Sequence, residues 1–245
     1  MNFKKTIFIF LSIISATISQ AQTEFSICLY DSARQRPIHV TVYQPYKVNS
    51  HTKVIIFNHG YDGNKNPVSN QTYAYLTRFL SKKGYYIISI QHELPNDPLL
   101  AMEGAFMRTR MPNWERGVEN IRFTIHEFKK LKAELNWKEL TIIGHSNGGD
   151  MTMLFATEYP ELLSKAISMD HRRMIMPRVS QPQIYTLRGC DYEADPYVIP
   201  TNDEQQKYHI TVIKLDGITH SDMGQRGTDE QHQRITEYIW KFLKQ

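Results

Sequence analysis

Six short runs, mostly apolar, are spaced along this chain with helix-like segments between them, and that alternation limits the folds open to it. The runs are 54–57, 85–90, 140–143, 166–169, 184–187 and 210–215. Between them lie segments with apolar residues at helical spacing. One holds Tyr73, Leu76, Phe79 and Leu80 and stops at Gly84. Another holds Val118, Ile121, Ile125, Phe128, Leu131 and Leu135. A third runs from about Asn147 to Glu158, and a last one carries Ile235, Ile239, Phe242 and Leu243. Strands alternating with helices build βαβ units and a parallel sheet, whose strands read as continuous apolar runs because both faces are buried. Ahead of them, Phe25, Ile27 and Leu29 alternate, as do Ile38, Val40 and Val42, which predicts an antiparallel hairpin. The expected architecture is a mostly parallel α/β sheet, with this hairpin at its start and helices on both faces.

The first 21 residues read differently. Lys4 and Lys5 precede an apolar run over 6–14, and Ser19-Gln20-Ala21 offers small residues for a cut after Ala21. That is the layout of a secretory signal peptide, with a run too short to span about 30 Å of hydrocarbon. The expectation is therefore a secreted or periplasmic protein with one domain over 22–245 and no stable membrane span. Losing Lys4 and Lys5 lowers the formal charge from +4 to +2, which gives no reason to invoke nucleic acid. Cys28 and Cys190 do not make a disulfide framework, and two separate buried thiols are expected. The histidines include no His-Glu-x-x-His pattern, and no metal or organic cofactor is implied.

Gly144-His145-Ser146-Asn147-Gly148 lies between the strand 140–143 and the helix that follows. A G-x-S-x-G segment in that context lifts a serine hydroxyl clear of the sheet on a sharp turn, and glycines on either side avoid clashes there. The helix starting beside Ser146 aims free N–H groups at charge developing on a bound carbonyl. In such enzymes the acid and the histidine follow the serine in that order. His220 lies just past the last strand and is the expected base. His209 begins a strand, His232 sits in a helix pattern, and His171 comes too early. Three aspartates compete to orient the imidazole. Asp195 is favoured by its place in the run 189–200 after the strand 184–187, with Asp191 in the same run and Asp170 at the end of the preceding strand as alternatives.

The backbone N–H groups of Asn147 and Tyr61 are the expected oxyanion donors, Tyr61 following the strand end at His59-Gly60. His59, Trp114 and Met107 are placed at the substrate pocket, with Met102, Phe106 and Met111 in the long stretch 91–112 as companions. Packing of that stretch on the core is the alternative. His92 and Glu93 are expected to hold this stretch in place. Arg172 and Arg173 either clamp an anion or form a solvated turn.

Taken together, His59-Gly60, Gly144-His145-Ser146-Asn147-Gly148-Gly149, Asp195 with Pro200 nearby, and His220 resemble the α/β-hydrolase family. The resemblance covers nearly all of 22–245. Asn58-His59-Gly60-Tyr61 and Ser89-Ile90-Gln91-His92 are similar to compact members such as the platelet-activating-factor acetylhydrolases, and the dienelactone hydrolases are a second such group. Two departures stand out. Dienelactone hydrolases usually carry a cysteine where Ser146 stands, and only residues 170–182 separate two strands where many lipases insert a helical cap. The resemblance implies Ser146, Asp195 and His220 as a triad. The expected activity is hydrolysis of small-molecule carboxylic esters through an acyl-enzyme, short acyl groups favoured. A peptidase or amidase, or a binding protein that has lost activity, are the other readings.

Overall fold

The computed structural model describes residues 23–245; the expected leader lies outside them. The strands are β1 (Thr23–Asp31), β2 (Arg36–Gln44), β3 (Lys53–Asn58), β4 (Tyr86–Ile90), β5 (Asn136–His145), β6 (Lys165–Met169), β7 (Gln183–Arg188) and β8 (Thr211–Lys214). They form one sheet in the order β1-β2-β4-β3-β5-β6-β7-β8. Pairings β1/β2 and β2/β4 are antiparallel and the rest are parallel.

The helices are α1 (Ala74–Lys82), α2 (Phe106–Thr109), α3 (Met111–Leu131), α4 (Asn147–Glu158), α5 (Asn202–Tyr208) and α6 (Asp229–Lys244). Two buried clusters separate by strand parity, as the period of two demands. Ile56, Ile88 and Ile142 face one way and pack with Trp114, Ile121 and Phe128 of α3 and Met153 and Phe155 of α4. Ile55, Ile87 and Ile143 face the other way and pack with Leu76 and Leu80 of α1 and Ile235, Ile239 and Phe242 of α6. Helices therefore cover both faces.

Residues 170–182 join β6 to β7 without a helix, so no helical cap stands over that edge. Cys28 and Cys190 are unbonded but both are exposed, against the expected burial. Cys28 lies on β1, which pairs with β2 alone, and Cys190 lies in the loop after β7. No helix among the described residues is long and apolar enough to cross a membrane.

Candidate active site

The turn from β5 into α4 puts Ser146 at φ 52° and ψ −121°, a left-handed region that a side chain enters only when its surroundings force it. The flanking glycines explain how. A Cβ on Gly144 would lie 2.2 Å from the Gly148 carbonyl oxygen, and one on Gly148 would lie 2.3 Å from the carbonyl oxygen of His59. The second clash locates the site: α4 starts against the end of β3, bringing Ser146 beside the Gly60-Tyr61 loop.

His220 reaches over from the loop after β8. Its Nε2 is 2.9 Å from Ser146 Oγ and its Nδ1 is 2.5 Å from Asp170 Oδ2. The acid in contact with the imidazole is thus Asp170, not Asp195. Backbone pairing accounts for this. Ser146 N–H donates to the Met169 carbonyl and Asp170 N–H to the Leu187 carbonyl, so Asp170 emerges from β6, adjacent to the strand that delivers Ser146. Asp195 lies farther along the loop after β7, its carboxylate partly exposed and paired with Arg173. Asp191 does touch the histidine, but through the backbone, accepting the His220 N–H at 2.7 Å.

Asp170 has no exposed surface. Burial pushes its carboxyl pKa up. The hydrogen bond to His220, the Arg188 guanidinium 3.1 Å from Oδ1 and the Gly189 N–H at 2.9 Å outweigh burial and hold the value down to about 2. The group is a carboxylate throughout the neutral range.

His145, the residue before the serine, is buried. Its Nδ1 accepts from the Tyr73 hydroxyl at 2.6 Å, and its Nε2–H donates to the His220 carbonyl at 3.1 Å. Burial, and then the nearness of His220, push its pKa down to about 3, so it is neutral and has one proton to place. Tyr73 OH also accepts the Gly60 N–H at 3.2 Å. One run of hydrogen bonds therefore joins the loop after β3 to the loop that carries His220. Neither Tyr73 nor Arg188 is legible as a site residue from the sequence. Tyr73 reads as one apolar position on α1, and Arg188 as the polar end of β7.

Tyr61 lines a cavity of about 320 Å³ that also touches Ser146 and His220. Its hydroxyl accepts the Leu100 N–H at 3.1 Å, tying this loop to the stretch 91–112. Asn147 opens α4, where its N–H has no acceptor within the helix. The side chain of Asn147 is held from behind: Trp114 Nε1–H donates to Oδ1, and Nδ2–H donates to Asn113 Oδ1, both at 2.8 Å.

The three residues expected to bind substrate sit elsewhere. Trp114 is fully buried behind Asn147. Nearly buried, His59 donates from Nδ1 to the Gly60 carbonyl at 2.7 Å, accepts the His92 N–H at 3.0 Å and lies beside buried Glu93. Met107 is exposed on α2 and does not line the cavity. Nor does the stretch 91–112 give an apolar wall. Met102 is 70% exposed, and Phe106 lies between the guanidinium groups of Arg110 and Arg173. His92 and Glu93 are buried and hold that stretch, Arg36 donating to the His92 carbonyl. Arg172 lies over the ring of Tyr192. Among the described residues there is no group of three or more His, Cys, Asp or Glu side chains able to hold a metal ion.

No family model matches the chain. It is 24% identical over 90 residues to a serine hydrolase-like protein of Homo sapiens, covering 37% of this chain and 43% of that one. It is 32% identical over 74 residues to ethanol acetyltransferase 1 of Eremothecium cymbalariae, covering 30% and 21%. The chain thus spans about a fifth to two-fifths of these relatives. Among solved structures it is similar to an esterase of Pyrobaculum calidifontis, with TM-score 0.63, 12% identity and 91% and 84% coverage. It is also similar to a serine hydrolase without a lid from Xanthomonas campestris, with TM-score 0.60, 13% identity and 89% and 94% coverage. At these identities the likeness is one of fold.

Proposed function

We propose that this chain, which has the α/β-hydrolase fold, is an exported serine hydrolase that cleaves carboxylic esters through an acyl-enzyme on Ser146. The observation that carries the reading is the contact series Ser146 Oγ, His220 Nε2, His220 Nδ1 and Asp170 Oδ2. In this reading His220 takes the proton from Ser146 as Oγ attacks the ester carbonyl. The oxyanion is met by the N–H groups of Tyr61 and Asn147. As the carbonyl re-forms, the alkoxide leaves and takes that proton from His220. Water then attacks the acyl-enzyme, gives its proton to His220, and Ser146 recovers it as the acid departs. Asp170 stays ionised and holds the imidazole with its proton on Nδ1.

With no cap after β6 and no apolar wall from the stretch 91–112, a long acyl chain gains little. Each CH₂ is worth about 0.8 kcal/mol only where it is buried. Acyl groups of roughly two to six carbons are the expected preference by that per-CH₂ argument. The test is labelling with a fluorophosphonate probe and turnover of p-nitrophenyl esters from acetate to palmitate. Ser146→Ala should lose labelling and about 10⁶ in kcat. Parent-like turnover by that variant would remove the assignment.

A further inference from the structure

We propose that the cavity beside Ser146 receives a hydroxyl-rich, sugar-like alcohol, so that the preferred ester is a short acyl group on a polyol. The inference rests on the reading of Ser146 as the nucleophile. No aliphatic side chain lines this cavity. The rings of Tyr61 and Tyr73 also line it, and its polar groups beyond those two tyrosines, Ser146 and the histidines are the hydroxyls of Ser69, Thr72 and Ser221, the amide of Gln225, the carboxylate of Asp62 and the guanidinium of Arg226. An alkyl group entering here would displace water from donors and acceptors that it cannot satisfy. A polyol hydroxyl both donates and accepts, and so can replace that water.

Charge narrows the class further. Asp62 and Arg226 line the same cavity, and neither makes an ion pair among the described residues. A net anion would meet Asp62 and a net cation would meet Arg226. A neutral polyol suits both, because a carboxylate accepts from hydroxyls and a guanidinium donates to them. The volume of about 320 Å³ leaves room for a group of hexose size.

Position decides which half of the ester enters. Ser221, Gln225 and Arg226 belong to the segment that begins at His220, so this wall flanks the imidazole. The imidazole gives its proton to the leaving alkoxide. The cavity is therefore on the leaving-group side, and its occupant is the alcohol.

The experiment compares methyl 6-O-acetyl-α-D-glucopyranoside with cyclohexylmethyl acetate. Both present an acetyl group on a primary alkoxide beside a six-membered ring, and they differ in hydroxyls. We expect kcat/KM for the sugar ester to be about tenfold or more higher, mainly through KM, as one or two net hydrogen bonds would give. Asp62→Ala and Arg226→Ala should each lower the sugar-to-cyclohexyl ratio about five- to tenfold. Arg122→Gln, on the exposed side of α3, makes the same charge change as Arg226→Ala and should leave the ratio alone. Fluorophosphonate labelling of Ser146 without a preference for the sugar ester, or a ratio unmoved in both cavity variants, overturns this inference alone. No labelling and no turnover of either ester overturns the parent reading, and this one with it.

Discussion

Two turns at the carboxyl edge of the sheet each place an aspartate against an arginine, yet only one of them delivers a carboxylate to His220. After β6, Asp170 is fully buried, with Arg188, the Gly189 N–H and His220 around it. After β7, Asp195 is partly exposed and pairs with Arg173, itself stacked on Phe106. In the first pair the donors outweigh the cost of burial, and a charge is held inside the protein. The second is a rim contact of the kind worth roughly 0–1 kcal/mol. The acid is defined by the donors that hold it ionised out of water, not by its distance along the chain from the serine.

Neutralising each acid in turn should separate the two turns most strongly. Asp170→Asn should lower kcat by about 10⁴, because an amide no longer fixes the imidazole with its proton on Nδ1. Asp195→Asn should change kcat less than about threefold, the scale of a rim ion pair. Steady-state kinetics on p-nitrophenyl acetate at neutral pH reads both. A large loss in Asp195→Asn with a small one in Asp170→Asn would reverse the assignment.

The arginines extend the contrast to folding. Arg188→Met leaves Asp170 short of a buried cation and should cost about 3–5 kcal/mol in urea unfolding. The matching change Arg173→Met should cost no more than about 1 kcal/mol. The guanidinium helps hold Asp170 at about 2, so without it the carboxyl takes a proton at higher pH. Equal costs for the two arginine variants would erase the distinction between the turns.

Asp170 acts through His220, and His220 is itself held in place through its backbone. Tyr73→Phe removes the hydroxyl that accepts the Gly60 N–H and donates to His145. His145 is then free to move its proton to Nδ1, and its bond to the His220 carbonyl fails. A shift of about 1 Å in catalytic groups costs up to about 100-fold. We expect kcat to fall roughly 10- to 100-fold with KM nearly unchanged, on that same misplacement argument. A KM effect alone would instead mark Tyr73 as a substrate contact.

Much of this was legible in the sequence, and the rest was not, for particular reasons. The hairpin and the helices α1, α3 and α6 follow apolar periodicity because each buries one face, while the inner strands read as continuous apolar runs because both of their faces are buried. Helix α5 has no buried residue and is held by the Thr201 capping box, so periodicity had nothing to register. Ser146 and His220 are readable because strained turns and strand ends constrain residue type. Asp170 was within reach as an alternative, but the choice rests on a contact 50 residues apart that no local pattern encodes. Trp114 and His59 failed for a common reason, since an aromatic residue packs behind a site as readily as in front, and in Trp114 the indole N–H found its partner in Asn147. Met107 failed differently, being exposed on α2 away from the cavity.

A third aspartate tests whether donors, rather than burial, decide the state of these groups. Asp150 on α4 is as deeply buried as Asp170, but its carboxylate is held by backbone N–H groups. Oδ1 accepts from Arg173 and Met174 at 2.9 and 2.8 Å, in the turn just past Asp170. Burial therefore prevails over those bonds and over the more distant charges of Arg110 and Arg173, and the carboxyl pKa rises from 3.8 to about 6. Between pH 3.8 and about 6 the folded chain keeps a proton that the unfolded chain has released, so stability falls as pH rises through that window. Above it the folded state carries a buried carboxylate at a cost on the order of 1–3 kcal/mol. Asp150→Asn keeps an oxygen to accept both N–H groups and removes the charge. It should raise Tm by about 2–12 °C at pH 7.5, given roughly 2–4 °C per kcal/mol for a chain of this size. The gain should shrink through pH 6 to 4 and vanish at pH 3.5, where both forms are neutral. Thermal unfolding at those pH values measures it. A lower Tm for Asp150→Asn at pH 7.5 would mean that Asp150 is held ionised as Asp170 is, and that burial without a bonded cation does not separate the two.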